Sequence, residues 1–308
     1  MKPALLITTG AILCWALLSV VSRILLLAYD LDPWMFSFLQ LFAGGVALLI
    51  LSGKGGLDLT SFVRPSTWVL GALRVLSAAL YTAVLVWVSV PEAGIFGALN
   101  LPVVAIIVWI VMGQRPARFE WVGHGLALGA VVMLALQLEP GFRTTVLGLM
   151  GLNALCLAGM SLLVEAHPDN RSDLPGARTR FTGAVLLVTA IVFLAARIVQ
   201  TGSVDGRVDM TLILSSVAVG IFLRAPAMLL AFWSIRLAGT QNYTAAISLL
   251  PVFGLVFEQL AVALGLIETS RFQIGTVYLL GLVLLGTFLI LFARSLRLRA
   301  STNHRTET

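Results

Sequence analysis

Residues 96–113 read FGALNLPVVAIIVWIVMG, and residues 243–265 read YTAAISLLPVFGLVFEQLAVALG. Both stretches pass from small residues into Leu-Pro-Val and then into an apolar run that ends at glycine. A short polar loop and a Gly-rich apolar segment follow each of them. Pro102 and Pro251 lie 149 residues apart, and Arg74 and Arg224 lie 150 apart. The two halves of the chain therefore repeat one design, which is the first feature to establish in any sequence.

Composition indicates what these halves are. Of the 308 residues, 59% are hydrophobic and 11% are charged, which is more apolar surface than a soluble protein of this size can bury. Crossing the hydrocarbon of a membrane takes about 20 apolar residues in a helix. Ten such runs are predicted, at 4–28, 33–52, 67–89, 93–113, 120–138, 144–164, 180–200, 211–235, 241–266 and 272–293. The first run is too long for a signal-peptide core, so we expect it to span the membrane.

The positive charges predict the orientation. Outer segments would contain Arg143, Arg207 and Arg271, with Arg197 near the end of its span. The segments expected to be cytoplasmic contain many more: Lys2, Lys54, Arg64, Arg115, Arg118, Arg171, Arg178, Arg180, Arg236, Arg294, Arg297, Arg299 and Arg305. Cytoplasmic loops are enriched in Lys and Arg, so both termini are predicted to be cytoplasmic. This placement of the charges also argues against nucleic-acid binding, although the net charge is +6.

Five spans in each half have a further consequence. Because five is odd, the second half enters the membrane from the opposite side. The predicted fold is therefore an all-α polytopic membrane protein, with ten transmembrane helices arranged as two inverted five-helix repeats. The expected divisions are 1–140, 141–294 and a polar, disordered cytoplasmic tail at 295–308. Inverted repeats are typical of secondary transporters, which bind substrate near the bilayer midplane between the repeats.

Three stretches resemble a known family. GAILCWALLSVVSRILL (10–26) resembles the first helix of EamA-type transporters of the drug/metabolite transporter superfamily. ALNLPVVAIIVWIVMGQRP (98–116) is similar to the fourth helix of that family, and SLLPVFGLVFEQLAVALGLIETS (248–270) to the ninth. The resemblance implies ten helices, both termini inside the cell, and transport of small metabolites.

The chain departs from the family pattern at three positions. Gln114 follows the glycine of the fourth helix where the family often has glutamate, and the corresponding acid of the ninth helix is displaced to Glu268. The second helix has Gln40 where an arginine is common, while Arg180 keeps that feature in the second half. The helix-2 stretch around Gln40 matches residues around Phe181 only weakly.

Charged residues inside spans are candidates for function, because each is costly in a membrane unless it is paired or wet. Arg224 is about a dozen residues from either end of its span, so it must meet a carboxylate, backbone carbonyls, water or substrate. Arg74 either shares this site or extends to the cytoplasmic interface. Arg23 is expected to reach Asp30 or the lipid headgroups. Glu258 is a candidate proton-coupling group, or alternatively the counter-ion of Arg224.

Several uncharged residues complete the predicted site. Asn100, Asn153, Asn242 and Trp15 are candidate substrate-binding residues, or alternatively make contacts between helices. Pro102 and Pro251 are expected to break their helices, because proline has no N–H to donate. In the fifth and tenth spans, Gly125, Gly129, Gly275, Gly281 and Gly286 are expected to permit close helix approach, either within the bundle or in a homodimer.

These observations predict a function. The chain contains no Walker loop, no Gly-x-Ser-x-Gly and no His-Glu-x-x-His, so neither an enzyme nor a cofactor or metal site is expected. We expect a secondary transporter, working as an exporter of an amino acid or other carboxylated metabolite by alternating access. The expected location is a bacterial inner membrane. The alternatives are a flippase for a lipid or lipid-linked headgroup, and a non-transporting membrane partner subunit.

Overall fold

The structure, a computed structural model, describes residues 2–53, 60–88, 90–202, 208–267 and 274–306. Within these ranges, ten helices are long and apolar enough to cross a membrane. They are α1 (Pro3–Ala28), α2 (Pro33–Leu51), α3 (Pro65–Val84), α4 (Glu92–Met112), α5 (Arg118–Gln137), α6 (Pro140–Ala166), α7 (Ala177–Thr201), α8 (Met210–Ala238), α9 (Thr240–Ala263) and α10 (Gly275–Leu296). Short helices at Thr60–Val63 and Pro168–Arg171 lie in the connections. The predicted ten-helix membrane fold is confirmed.

The ends of these helices follow local sequence signals. Asp32 caps α2 by accepting a hydrogen bond from the Met35 backbone N–H at 2.8 Å, and Asp209 caps α8 in the same way through Leu212 at 2.7 Å. Gly113, with a φ of 69°, ends α4 in the left-handed region. The predicted bounds differ from the observed ones by at most five residues, most of all where α3 ends at Val84 instead of residue 89.

Packing between the helices relates the two halves. Helix α1 packs against α8 and α9, and its counterpart α6 packs against α3 and α4. Helix α7 packs against α2 and α3, while α2 packs against α7 and α8. Helices α5 and α10 pack against each other. Exchanging the two halves turns the α1–α8 contact into α6–α3, α1–α9 into α6–α4, and α7–α3 into α2–α8. The contacts α2–α7 and α5–α10 each map onto themselves and are called self-paired. Two inverted five-helix repeats predict this packing.

Glycines permit the closest of these approaches. A Cβ atom on Gly123 of α5 would lie 2.4 Å from the Gly286 carbonyl oxygen on α10, and one on Gly286 would lie 2.5 Å from the Gly123 oxygen. Helices α2 and α7 meet in the same reciprocal way at Gly45 and Gly183. The two self-paired contacts, α5 with α10 and α2 with α7, thus both depend on glycine–glycine contact.

Of the two alternatives for the glycines predicted to permit close approach, packing within the bundle is observed for Gly286 alone, and a homodimer contact stays a prediction. Gly286 does permit close approach, but Gly125, Gly129, Gly275 and Gly281 have no described atom near enough to contact an added Cβ. The residue opposite Gly286 is Gly123, two residues before the Gly-xxx-Gly pattern that starts at Gly125, because the side of α5 that faces α10 could not be deduced from spacing.

Helix 2 also matches its counterpart differently from the prediction. A Cβ on Gly220 of α8 would touch Gln40 of α2, while one on Gly71 of α3 would touch Thr189 of α7. Gly71 and Gly220 are 149 residues apart, and so are Gln40 and Thr189. By position in the packing, the counterpart of Gln40 is thus Thr189 rather than the region of Phe181.

Two further expectations concern the end of the chain. The backbone of the last helix continues from Ile274 to Thr306, so the tail predicted to be disordered is helical over its described residues. The segment contains no glycine or proline after Gly286 that would stop it. Glu268, the displaced acid of the ninth helix, lies outside the described residues.

Helices α4 and α9 are each interrupted near their proline. Residues Gly97–Leu99 form a 3₁₀ turn three residues before Pro102, and the helix of α9 is interrupted at Ser248 and Leu249, just before Pro251. Proline lacks an N–H and clashes with the preceding turn, so breaks are expected at these points. Breaks at equivalent places in two repeats are a feature of transporter binding sites.

Glycine contacts predict a difference in stability. Replacing Gly123 with Ala should destabilise the protein by about 1–3 kcal/mol, because the methyl group has no space against the Gly286 carbonyl. Gly125→Ala is the matched control on the same helix, and it should leave stability unchanged or slightly raised. Thermal unfolding of the purified proteins in one detergent measures both. Equal stability of the two variants would contradict the contact.

Candidate functional site

Arg224 lies at the centre of the longest span, 14 residues from either end of α8. At a rise of about 1.5 Å per residue, this places its Cα about 21 Å along the helix from each end. The helix is distorted here: residues Gly220–Arg224 form a π turn in which the Ala225 N–H bonds to the Gly220 carbonyl, just before Pro226. Such π turns often occur at functional positions, because they redirect the side chains next to them.

Two contacts hold the Arg224 guanidinium. Its Nε and Nη2 atoms donate to the Gln40 Oε1 atom of α2, at 3.3 and 3.2 Å. Its Cζ atom lies 5.3 Å from the centre of the Trp15 ring of α1, within the range of a cation–π interaction. Gln40 is buried, and the close approach of α2 to Gly220 brings it to this depth.

Arg74 reaches the same tryptophan from α3. It lies mid-span in Pro65–Val84, and its Cζ atom is 5.8 Å from the Trp15 ring centre. Tyr243 of α9 lies near Arg74 and Trp15 as well. The Arg74 side chain therefore lies over Trp15, and the alternative that it extends to the cytoplasmic interface is wrong.

Neither arginine forms a salt bridge with any carboxylate in the described part of the chain. Arg224 bonds to a neutral amide, and the buried Nε atom of Arg74 has no hydrogen-bond partner among the described residues. The two cations lie near enough to repel each other, and both side chains are only partly buried. Two unneutralised cations at mid-span would be costly in a dry interior, so this arrangement favours a site that admits water or an anion.

Glu258 pairs with a different arginine from the one predicted. Its Oε1 atom accepts a hydrogen bond from Arg23 Nη1 at 2.6 Å, and the pair joins α1 to α9. The alternative that Glu258 is the counter-ion of Arg224 is therefore wrong. So is the expectation that Arg23 reaches Asp30 or the headgroups. Both residues lie five positions before the ends of their helices, at the same face of the bundle, far from the depth of Arg224.

The three asparagines lie in different surroundings. Asn153, at the middle of α6, accepts a 2.6 Å hydrogen bond from Ser77 of α3. Asn100 is buried beside the break in α4, and its Oδ1 atom has no partner within the described residues. Asn153 therefore connects two helices, while Asn100 keeps a free acceptor.

Asn242 lies near the start of α9, and the structure does not bring it to the arginines. Its side chain donates to the Ala238 carbonyl and accepts from Arg294 at 3.4 Å. Arg294 in turn forms a buried 2.8 Å salt bridge with Glu120. Asn242 therefore belongs to a polar network between α5, α9 and α10. Neighbouring residues of a helix point about 100° apart, so Asn242 contacts Arg294 of α10 while Tyr243 lies near Arg74 and Trp15.

Two residues of the central group were not among the predicted site residues. Gln40 was considered only as a departure from a family pattern, and Tyr243 was not considered. The 149-residue spacing of Gly71 and Gly220 pairs these two glycines, and the structure then shows that Gln40 lies against Gly220. For Tyr243 the sequence contains no comparable signal. We use the term central arginine site for Arg74, Arg224, Trp15, Gln40 and Tyr243.

Ten apolar spans, matched breaks in two of them, and charged residues at mid-depth are the features of a polytopic membrane protein that moves a solute. Residues 2–136 match the model of the EamA-like transporter family. This match confirms, over the first five helices, the resemblance to EamA-type transporters of the drug/metabolite transporter superfamily. The matched range ends within α5, close to the predicted end of the first repeat, while the division into repeat domains stays a prediction.

Solved structures support the fold. One of them, titled "Crystal structure of protein", aligns with a TM-score of 0.68 over 95% of this chain and 99% of its own, at 21% sequence identity. At this identity the likeness shows the fold alone. No curated protein matches the chain at a significant level.

The ion pair between α1 and α9 can be tested by exchanging its charges. Arg23→Glu and Glu258→Arg should each lower stability by about 1 kcal/mol, because each creates a like-charged pair at a partly exposed position. The double variant should recover most of that loss, as measured by thermal unfolding in detergent. Additive losses in the double variant would show that the two side chains do not interact.

Proposed function

We propose that the protein is a secondary transporter that carries an amino acid or another small carboxylated metabolite by alternating access. The cargo would bind at the central arginine site, between the two halves of the molecule. The observation that supports this most directly is that Arg74 and Arg224, from counterpart helices, lie over one tryptophan ring without a carboxylate partner in the described chain.

The chemistry of the site favours an anionic group on the cargo. A guanidinium donates its hydrogen bonds in a planar fork that matches a carboxylate, and two such groups would attract one carboxylate more strongly than either alone. Gln40 orients the Arg224 fork by accepting hydrogen bonds from its Nε and Nη2 atoms. Trp15 and Tyr243 add aromatic surface for an apolar part of the cargo.

Alternating access needs an element that opens and closes one end of the path. The Arg23–Glu258 pair joins α1 of the first half to α9 of the second, toward one face of the bundle. We propose that proton transfer to Glu258 removes its negative charge, ends the ionic attraction to Arg23 and so weakens that contact, which lets the proton gradient drive the cycle. The proposed direction is export across a bacterial inner membrane, with both termini cytoplasmic as the charge distribution favours.

Uptake by proteoliposomes tests both the chemical class of the cargo and the role of Arg224 in binding it. A panel of amino acids, amines and phosphorylated metabolites should reveal a carboxylated substrate. Arg224→Ala should then weaken its apparent affinity by about tenfold to a hundredfold, since a charge-assisted hydrogen bond of that size is lost. Arg224→Lys keeps the charge without the fork, and its loss should be intermediate.

Arg115→Ala is the matched control for this experiment. Arg115 also lies over a tryptophan ring, 5.4 Å from the centre of Trp109, but it is exposed at the end of α4 and should not affect transport. Equal transport by Arg224→Ala and Arg115→Ala would reject the central site. Lipid scrambling that depends on Arg224, with no solute uptake, would favour a flippase instead.

Proton coupling has its own test. Glu258→Gln cannot gain or lose a proton at this position, so it should still exchange labelled substrate while no longer accumulating it in response to a pH gradient. Exchange without a gradient serves as the internal control for folding. A variant that still accumulates substrate under a pH gradient would rule out Glu258 as the coupling group and leave the central site untouched.

A further inference from the structure

A cavity lies at one end of the bundle, far from the central arginine site. It has a volume of about 390 Å³ and opens between the loop that precedes α7 and the last turns of α8. Ser172, Asp173, Arg178, Trp233, Arg236 and Leu237 are among the residues that line it. The positive-inside pattern assigns this end of the bundle to the cytoplasm. The proposed transport cycle uses none of these residues.

Arg178 is the cation available to a ligand in this cavity. Its Cζ atom lies 5.3 Å from the centre of the Trp233 ring, and its buried Nε atom has no hydrogen-bond partner among the described residues. Arg178 is also the second residue of α7, whose cap, Gly176, offers no side chain to bond the first backbone N–H groups. Positive helix potential and the guanidinium therefore coincide at this point.

Arg236 also lines this cavity, but its guanidinium is bound to other residues of the protein. Its Nη1 atom donates to the Ser172 carbonyl at 2.8 Å, and its Nη2 atom bonds to the carboxylate of Asp173. Asp173 is the one carboxylate among the residues that line this cavity, and it forms its salt bridge with Arg236. The loop is held in place by this pair. Asp173 also lies near enough to attract Arg178, but its hydrogen bond and salt bridge are to Arg236, so the Arg178 guanidinium can still bind an anion.

The rim of the cavity is apolar. Leu174 is 69% exposed, and Trp233 and Leu237, which are close to the end of α8, are also exposed. A tryptophan beside a basic pocket at the end of a span is typical of the membrane interface, where headgroups meet acyl chains. A soluble anion would leave this apolar rim in water, whereas a lipid would cover it.

We propose that this cavity binds the phosphate group of an anionic phospholipid. Arg178 and the start of α7 hold the phosphate, while Trp233, Leu174 and Leu237 contact the glycerol and the upper part of the acyl chains. Basic pockets between membrane helices on the cytoplasmic side are recognised as sites for anionic headgroups. The site is independent of the cargo and of the central arginine site.

Native mass spectrometry of the purified full-length protein tests the proposal. Phosphatidylglycerol and phosphatidylcholine are titrated separately, because they share a phosphodiester but differ in net charge. Wild-type protein should bind phosphatidylglycerol more tightly. Arg178→Ala should weaken that binding about fivefold, the effect of losing one basic residue at a membrane surface. Arg178→Lys should bind phosphatidylglycerol with intermediate affinity. If the alanine variant does not fold, the affinity of the lysine variant tests the proposal instead.

Arg118→Ala is the matched control, because Arg118 is an exposed arginine at the start of α5 on the same side of the bundle. Its affinity for phosphatidylglycerol should equal that of the wild type. Equal binding of the two lipids, or equal effects of the Arg178 and Arg118 variants, would overturn the proposal. Inorganic phosphate and glycerol 3-phosphate provide the last arm: if either displaces phosphatidylglycerol through Arg178, the site recognises a soluble anion and the lipid assignment is wrong.

Discussion

The cost of placing two guanidinium groups at mid-membrane depth constrains the rest of this structure. Arg74 and Arg224 cannot give up their protons easily, and no carboxylate in the described chain neutralises them. Desolvating one such charge costs several kcal/mol, and their mutual repulsion adds to the cost. The interior around them must therefore supply polar groups, water or an anion. Gln40 and the face of Trp15 supply part of this, and both are positioned by helices that approach closely.

Backbone distortions give water or an anion access to the two arginines. Helix α8 accommodates a π turn at Gly220–Arg224, and α4 and α9 are interrupted near Pro102 and Pro251. In lipid, every freed backbone group must be satisfied within the protein or by water, so irregular backbone is tolerated only where it faces the interior. Gly220 has a second role, because the absence of a side chain lets α2 come close enough for Gln40 to reach Arg224. The π turn of α8 and the close packing of α2 against α8 thus both involve Gly220.

Much of the fold could be predicted, because membrane spans depend on composition and length. Ten apolar runs match ten membrane-spanning helices in the described part of the chain, and the spacing of the Pro and Arg pairs predicted which helices correspond. Depth was also predictable, since the position of Arg224 within its run fixes its distance from each end. The match of Arg74 with Arg224 followed from the repeat alone.

The direction that each side chain faces was harder to predict. In a soluble helix the polar face marks the outside, but these helices are apolar toward both lipid and neighbours, so periodicity gives little information about rotation. One of the two alternatives for Glu258 therefore paired it with the wrong arginine, and the pattern pointed to Gly125 where Gly123 makes the contact. Residue type predicted a site role for Asn242, but its side chain contacts Arg294 of α10, while that of the adjacent Tyr243 lies near Arg74 and Trp15.

The location of the two arginines in opposite halves bears on the proposed mechanism. Arg74 belongs to the first repeat and Arg224 to the second, so their repulsion acts between the parts that must move in alternating access. An anionic cargo bound to both would remove that repulsion and replace it with two attractions. Binding would then favour states in which the halves are close around the cargo, whereas an empty site would favour separation. A cargo that neutralises only one arginine would leave the other charge unpaired and give little of this effect. Under the proposed function, the site therefore selects a cargo by whether its anionic group can bridge the repeats, in addition to how tightly it binds either one.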